Sequence, residues 1–174
     1  MDGEEKEIVS LQKSENLEPR ITQMYGMLEK VRERLLKRIE GLTQKELDFT
    51  PNEENIESIG TLLLHIAGVE WSWIFEDMDH QEMDYEKWKH AFAVREGIPQ
   101  LKGKKLKFYT DRLSEVREEV LERISELSDS ELDHLIELDQ AAVSIEWILF
   151  HIIEHEAMHI GQISMLTRLY KMSS

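Results

Sequence analysis

The sequence predicts an all-α protein built as a four-helix bundle, on three observations. Four long stretches repeat apolar residues at helical spacing. No segment alternates apolar and polar residues as a strand would, and four amphipathic helices without strands read as a bundle. The chain's 174 residues, 41% apolar and 33% charged with no cysteine, fit one globular domain whose core needs no disulfide.

Residues 1–16 are polar and weakly periodic and read as an N-terminal tail or extension; residues 17–174 read as the bundle domain. Leu17, Ile21, Met24, Leu28, Val31, Leu35, Leu36, Ile39 and Leu42 mark the first helix. Basic residues 32, 34, 37 and 38 are expected on its other face, late enough to complement the helix dipole, and Gly41 helps to end it. The stretch to Pro51 reads as a plain connection. Ser58 is the expected N-cap of the second helix, whose stripe is Ile59, Leu62, Leu63, Ile66, Val69 and Trp73, with His65 inside it. Residues 77–99 break the pattern and read as a long connection. The third helix runs from about Leu106 through Val116 and Ile124 to Leu127, stopped by Ser128-Asp129-Ser130. A polar link with Leu132, Leu135 and Ile136 leads to Ser144, the expected cap of a fourth helix reaching about Tyr170.

A net charge of −15 argues against nucleic acid, since phosphate-binding surfaces need clustered Lys and Arg. Lys102, Lys104, Lys105 and Lys107 form the one basic cluster and read as a solvated loop. Without cysteine, any metal must use His and carboxylate ligands. The acidic start and the lack of a long apolar run predict a cytoplasmic protein with no membrane partner.

The informative stretch lies near the end. His151, His155 and His159 follow one another at four-residue steps in an apolar helical pattern, which stacks them near one face. On a helical wheel His159 points into the core, His155 lies at its edge and His151 nearer the boundary. A lone core histidine is ordinarily bonded to a carbonyl or carboxylate. Four of the seven histidines on the core sides of two helices instead suggest a metal site, an i, i+4 pair gripping one ion with a third ligand from a neighbouring helix. The expected ligands are His65, His155 and His159, with His151 beside the site. His155-Glu156-Ala157-Met158-His159 also fits the H-E-x-x-H signature of zinc proteases, but the third ligand of its longer form fails at Ile160-Gly161-Gln162. Proteolysis is therefore the least favoured alternative. Glu156 and His151 are the candidate catalytic residues; Glu156 is otherwise a hydrogen-bonded core acid.

Ser58-Ile59-Gly60-Thr61-Leu62-Leu63-Leu64-His65-Ile66, joined to His151-x3-His155-Glu156-x2-His159-x-Gly161-Gln162-Ile163, resembles the DinB-like superfamily, which includes YfiT-type metal hydrolases and bacterial thiol-dependent S-transferases. The resemblance spans roughly residues 17–170. It implies an up-down-down-up bundle, usually a homodimer, with a three-His metal site whose ligands fall on His65, His155 and His159. Many members carry an arginine before the Gly-Gln pair; here Ile160 stands there.

Two functions follow. One is a metal-dependent hydrolase or a low-molecular-weight-thiol S-transferase, activating water or a thiol such as bacillithiol toward a small-molecule substrate. Three His ligands suit Zn²⁺ or Ni²⁺ first and Fe²⁺ or Co²⁺ next. Trp71, Trp73, Trp88 and Trp147 are candidate pocket walls. The other is a non-catalytic dimeric bundle whose metal ties the second helix to the fourth; it expects a closed site with a fourth protein ligand.

Overall fold

The computed structural model describes residues 10–173 except residue 15 and residues 52–54, so most of the expected N-terminal tail lies outside the described residues. Helix α1 spans Pro19–Ile39. Its N-cap residue, Glu18, makes no side-chain cap. The Asp129 carboxylate instead accepts the N–H groups of Arg20 and Ile21 at 2.9 and 3.0 Å, satisfying donors that every helix start leaves open. Gly41, at φ 74°, closes the other end in the left-handed conformation that glycine adopts readily. The link that follows contains a further turn, α2 (Gln44–Leu47), held by a Thr43/Glu46 capping box.

Helix α3 spans Ile59–Trp71, and the Ser58 hydroxyl accepts the Thr61 N–H at 3.2 Å as expected. It continues as a π-helical stretch, Ser72–Met78. The connection to the third long helix is a chain of short turns: α4 (Tyr85–Trp88), a 3₁₀ turn over Lys89–Phe92, and α5 (Ala93–Glu96). Helix α6 spans Leu106–Ser125. A small antiparallel hairpin follows, β1 (Leu135–Glu137) with β2 (Ala142–Ser144), pairing Ile136 with Val143. This corrects the strand-free expectation, because three-residue strands are too short for alternation to be read. Helix α7 spans Ile145–Ser173, and the Ser144 hydroxyl accepts the Trp147 N–H at 3.1 Å.

Contacts between elements set the helix directions. Arg20 of α1 meets Glu146 of α7 near both starts, and Arg32 meets Glu156 further along, so α1 and α7 are parallel. Arg117 of α6 bonds the Leu28 carbonyl of α1, while Arg32 bonds that of Leu113, so α1 and α6 are antiparallel. His65 meets His155, and Trp73 in the π-helical continuation of α3 meets the earlier His151, so α3 and α7 are antiparallel. The result is an up-down-down-up four-helix bundle. Its core is buried Ile21, Leu28, Leu35, Leu63, Ile66, Leu113, Val120, Ile148, Ile152 and Ile163. No helix among the described residues is long and apolar enough to cross a membrane.

Candidate metal centre

The antiparallel pairing of α3 and α7 brings His65 opposite His155 and His159, midway along the seam between the two helices. Four residues separate His155 from His159, just over one turn, so both rings reach the same side. The Nε2 atoms converge: His155 Nε2 lies 3.2 Å from His65 Nε2 and 3.0 Å from His159 Nε2. His159 is buried and the other two are half-buried.

Each of two rings is fixed from behind. The Nδ1–H of His65 donates to the Ala91 carbonyl at 3.1 Å, and the Nδ1–H of His159 donates to Gln162 Oε1 at 2.6 Å. Both bonds place the proton on Nδ1 and leave a bare Nε2 lone pair facing the cluster. The 3₁₀ turn can deliver the Ala91 carbonyl because α3 carries Gly68 one turn beyond His65; a Cβ there would stand 2.8 Å from the Ala91 Cβ. Phe92 adds an edge contact to the His65 ring, at 5.6 Å between centroids.

Burial pushes the pKa of His155 down to about 3, helped by repulsion from His159, His65 and His151. Burial, then His159, holds His65 below the usual imidazole range against the opposing pull of its Ala91 bond. Burial also lowers His159, against its bond to Gln162. Neutral imidazoles are the ligating form. Two bare lone pairs face His155 Nε2, which has at most one proton to give them. A cation satisfies all three at once. Ligand bonds of 2.0–2.1 Å in a tetrahedral site place nitrogens about 3.3 Å apart, close to the separations here, so these three residues can hold a metal ion.

A family model of the DinB superfamily matches residues 27–163. The chain belongs to the DinB superfamily. The family fold agrees with two solved structures. The crystal structure of a conserved protein from Enterococcus faecalis superposes with a TM-score of 0.67 at 18% identity, covering 84% of this chain and 94% of that one. A Streptococcus pneumoniae protein superposes with a TM-score of 0.60 at 15% identity, covering 92% of this chain and 93% of that one. No curated protein matches the sequence.

In this DinB-superfamily chain the two candidate catalytic residues stand apart from the Nε2 cluster. His151 stacks flat on Trp147, with centroids 5.0 Å apart and 3° between planes. Its Nδ1 pairs with Glu154 at 3.1 Å. Trp73 closes the same aromatic group, its ring centroid 5.1 Å from that of His151. Trp71 packs on Phe75 and on buried Trp88 instead.

Glu156 is 1% exposed and belongs to a second cluster. Its Oε1 accepts from Arg32 Nε at 2.8 Å and its Oε2 from Arg117 Nη2 at 2.8 Å. Glu70 accepts from Arg32 Nη2 at 2.6 Å and from Arg117 Nε. Each of the four long helices thus contributes one charge to a closed, buried and neutral quartet. The expectation that Arg32 lies on the solvent face is corrected: it is 5% exposed. The signal that would have found the quartet is in the sequence. Arg32, Glu70, Arg117 and Glu156 each follow a buried apolar residue by four positions, namely Leu28, Ile66, Leu113 and Ile152, and that step keeps a side chain on the core face.

Proposed function

We propose that this protein binds one divalent metal ion through the Nε2 atoms of His65, His155 and His159, and that it is a metal-dependent hydrolase or a thiol S-transferase acting on a small molecule. The convergence of three imidazole nitrogens, two of them held in the ligating tautomer, carries the reading. Zn²⁺ and Ni²⁺ suit the donor set best, with Fe²⁺ and Co²⁺ next. When bound, such an ion acts as a Lewis acid that lowers the pKa of a water or thiol in its open position.

The protein's own groups do the rest. Ala91 and Gln162 orient the rings and strengthen their basicity. Among the described residues the group that can hold a metal comprises three side chains, which favours an open position over the closed geometry of a structural site. The His151–Trp147–Trp73 aromatic group flanks His155, whose ring centroid lies 5.9 Å from that of His151. Proteolysis is not favoured, because the carboxylate of Glu156 that a zinc protease uses as general base is engaged by two guanidinium groups. Exposed Phe150, Met158, Met165 and Met172 form one stripe along α7, which supports pairing of the chain as a homodimer.

Elemental analysis of untagged protein tests the reading. One equivalent of metal per chain is expected, and loss of that equivalent in His159→Ala. Full occupancy in that variant would contradict the assignment.

A further inference from the structure

The quartet stands in a definite relation to the imidazole cluster. Its two carboxylates come from α3 and α7, the helices that carry the histidines, and its two guanidinium groups come from α1 and α6, which carry none of the three. Glu70 lies five residues after His65, and Glu156 lies between His155 and His159. Arg32 spans both carboxylates, with 2.6 Å to Glu70 and 2.8 Å to Glu156. Arg117 spans the same two from the opposite helix. The Nη1 atoms of Arg32 and Arg117 donate to the Leu113 and Leu28 carbonyls, which tie α1 to α6.

We propose that the quartet is a register clamp, and that Glu70 and Glu156 are positioning residues that set the offset of α3 against α7 at which the three Nε2 atoms meet. The hydrophobic effect is non-directional and scales with the area buried, so by itself it sets no helix offset. Charge-assisted hydrogen bonds are directional and weaken quickly with distance and angle. A metal site tolerates only about 0.2 Å in its ligand distances. The side chains that enforce an offset of that precision are the two forked guanidinium groups. A slide of α3 along α7 that separates His65 from His155 also pulls Glu70 away from Glu156 and breaks both bridges. The clamp also accounts for a glutamate that follows a ligand histidine yet faces away from the other ligands.

The inference rests on the metal reading for its function, but the apo protein alone reports the geometry. In the variant Arg32→Lys the charge is kept and the fork is lost, and a single ammonium cannot hold both carboxylates and a carbonyl in plane. Leu35→Ala, which opens a cavity at a buried position one turn further along α1, serves as a comparison that lowers stability while leaving all four charged groups in place. Titration with Co²⁺, followed by its visible absorption, is expected to show affinity about 10–100-fold weaker in Arg32→Lys, the range for lost second-sphere support. In Leu35→Ala it should stay within about threefold of wild type. A combined Arg32→Met, Glu70→Leu, Arg117→Met, Glu156→Leu variant separates clamp from stability further. Replacing a whole buried ion network with apolar side chains is often neutral or stabilising, so this variant should melt no lower than wild type and still bind Co²⁺ weakly. Equal Co²⁺ affinity in Arg32→Lys and Leu35→Ala would overturn the proposal. If wild type binds no Co²⁺, the metal reading fails, and the clamp is then judged by NMR of the apo protein. Contacts between the His65 and His155 ring protons should be present in wild type and lost in Arg32→Lys; their persistence would overturn the clamp.

Discussion

Two clusters of ionisable side chains inside the described part of this bundle differ in completeness. In the quartet every carboxylate oxygen meets a guanidinium donor, the charges sum to zero, and the Nη1 of each arginine bonds a backbone carbonyl. Its charges are compensated from within. The imidazole cluster has the opposite character. Its outer nitrogens at His65 and His159 are satisfied, while its inner nitrogens crowd together as acceptors short of a donor. A buried polar group is expensive when left without a partner. One cluster is therefore closed on itself, and the other is shaped for something positively charged.

The contrast is sharpest when each cluster loses one member. Glu156→Ala leaves two buried guanidinium groups short of a counter-charge, and breaking a buried pair costs about 3–5 kcal/mol. Thermal unfolding should show a fall of about 6–20 °C for a chain of this size. A change of under 2 °C would mean the quartet is not closed in the way described. Completing the other cluster should act in the opposite direction. Zn²⁺ at 100 times its dissociation constant adds about 2.7 kcal/mol, a rise of about 5–11 °C, and the rise should vanish in His65→Ala. A rise of the same size in both proteins would place the stabilising ion elsewhere.

A subtler break is Gly68→Ala. The new methyl group collides with Ala91, and overpacking of this kind costs about 1–3 kcal/mol. Because the Ala91 carbonyl orients His65, Zn²⁺ affinity should fall along with the melting temperature; an unchanged affinity would show that the carbonyl does not position the ring. The effect of pH is smallest, since it disappears near neutrality. Burial raises the Glu70 carboxyl, but Arg117 and Arg32 outweigh it and hold its pKa below the ordinary value. The unfolded chain then binds more protons than the folded one at acid pH. The quartet's contribution is complete above the unfolded-state value of about 4.3 and is lost as pH falls through the lower folded value. Acid titration of wild type against the apolar quadruple variant should show that loss in the wild type alone.

Much of this was legible in the sequence because helical periodicity is long-ranged and repetitive. The stripes placed the four long helices, Ser58 and Ser144 announced their caps, and the four-residue steps of His151, His155 and His159 placed two rings on one face. The missing parts share a cause: they depend on partners far apart in the chain. Asp129 caps a helix more than a hundred residues earlier, the Ala91 carbonyl reaches His65 across a glycine, and β1 and β2 are too short to show alternation. Arg32 is the clearest case. Its four-residue step from Leu28 points to the core face, but a lone charge is assigned to the solvent face until Glu70, Arg117 and Glu156 are seen converging on it. Glu156 was open to two readings for the same reason, since its place in the H-E-x-x-H pattern is local and its partners are not.

The most direct test is anomalous X-ray diffraction at the zinc edge from crystals grown with Zn²⁺. One strong peak per chain is expected in the seam between α3 and α7, about 2.0–2.1 Å from the Nε2 atoms of His65, His155 and His159. A fully occupied peak bound elsewhere, or none at these three nitrogens, would contradict the three-imidazole site.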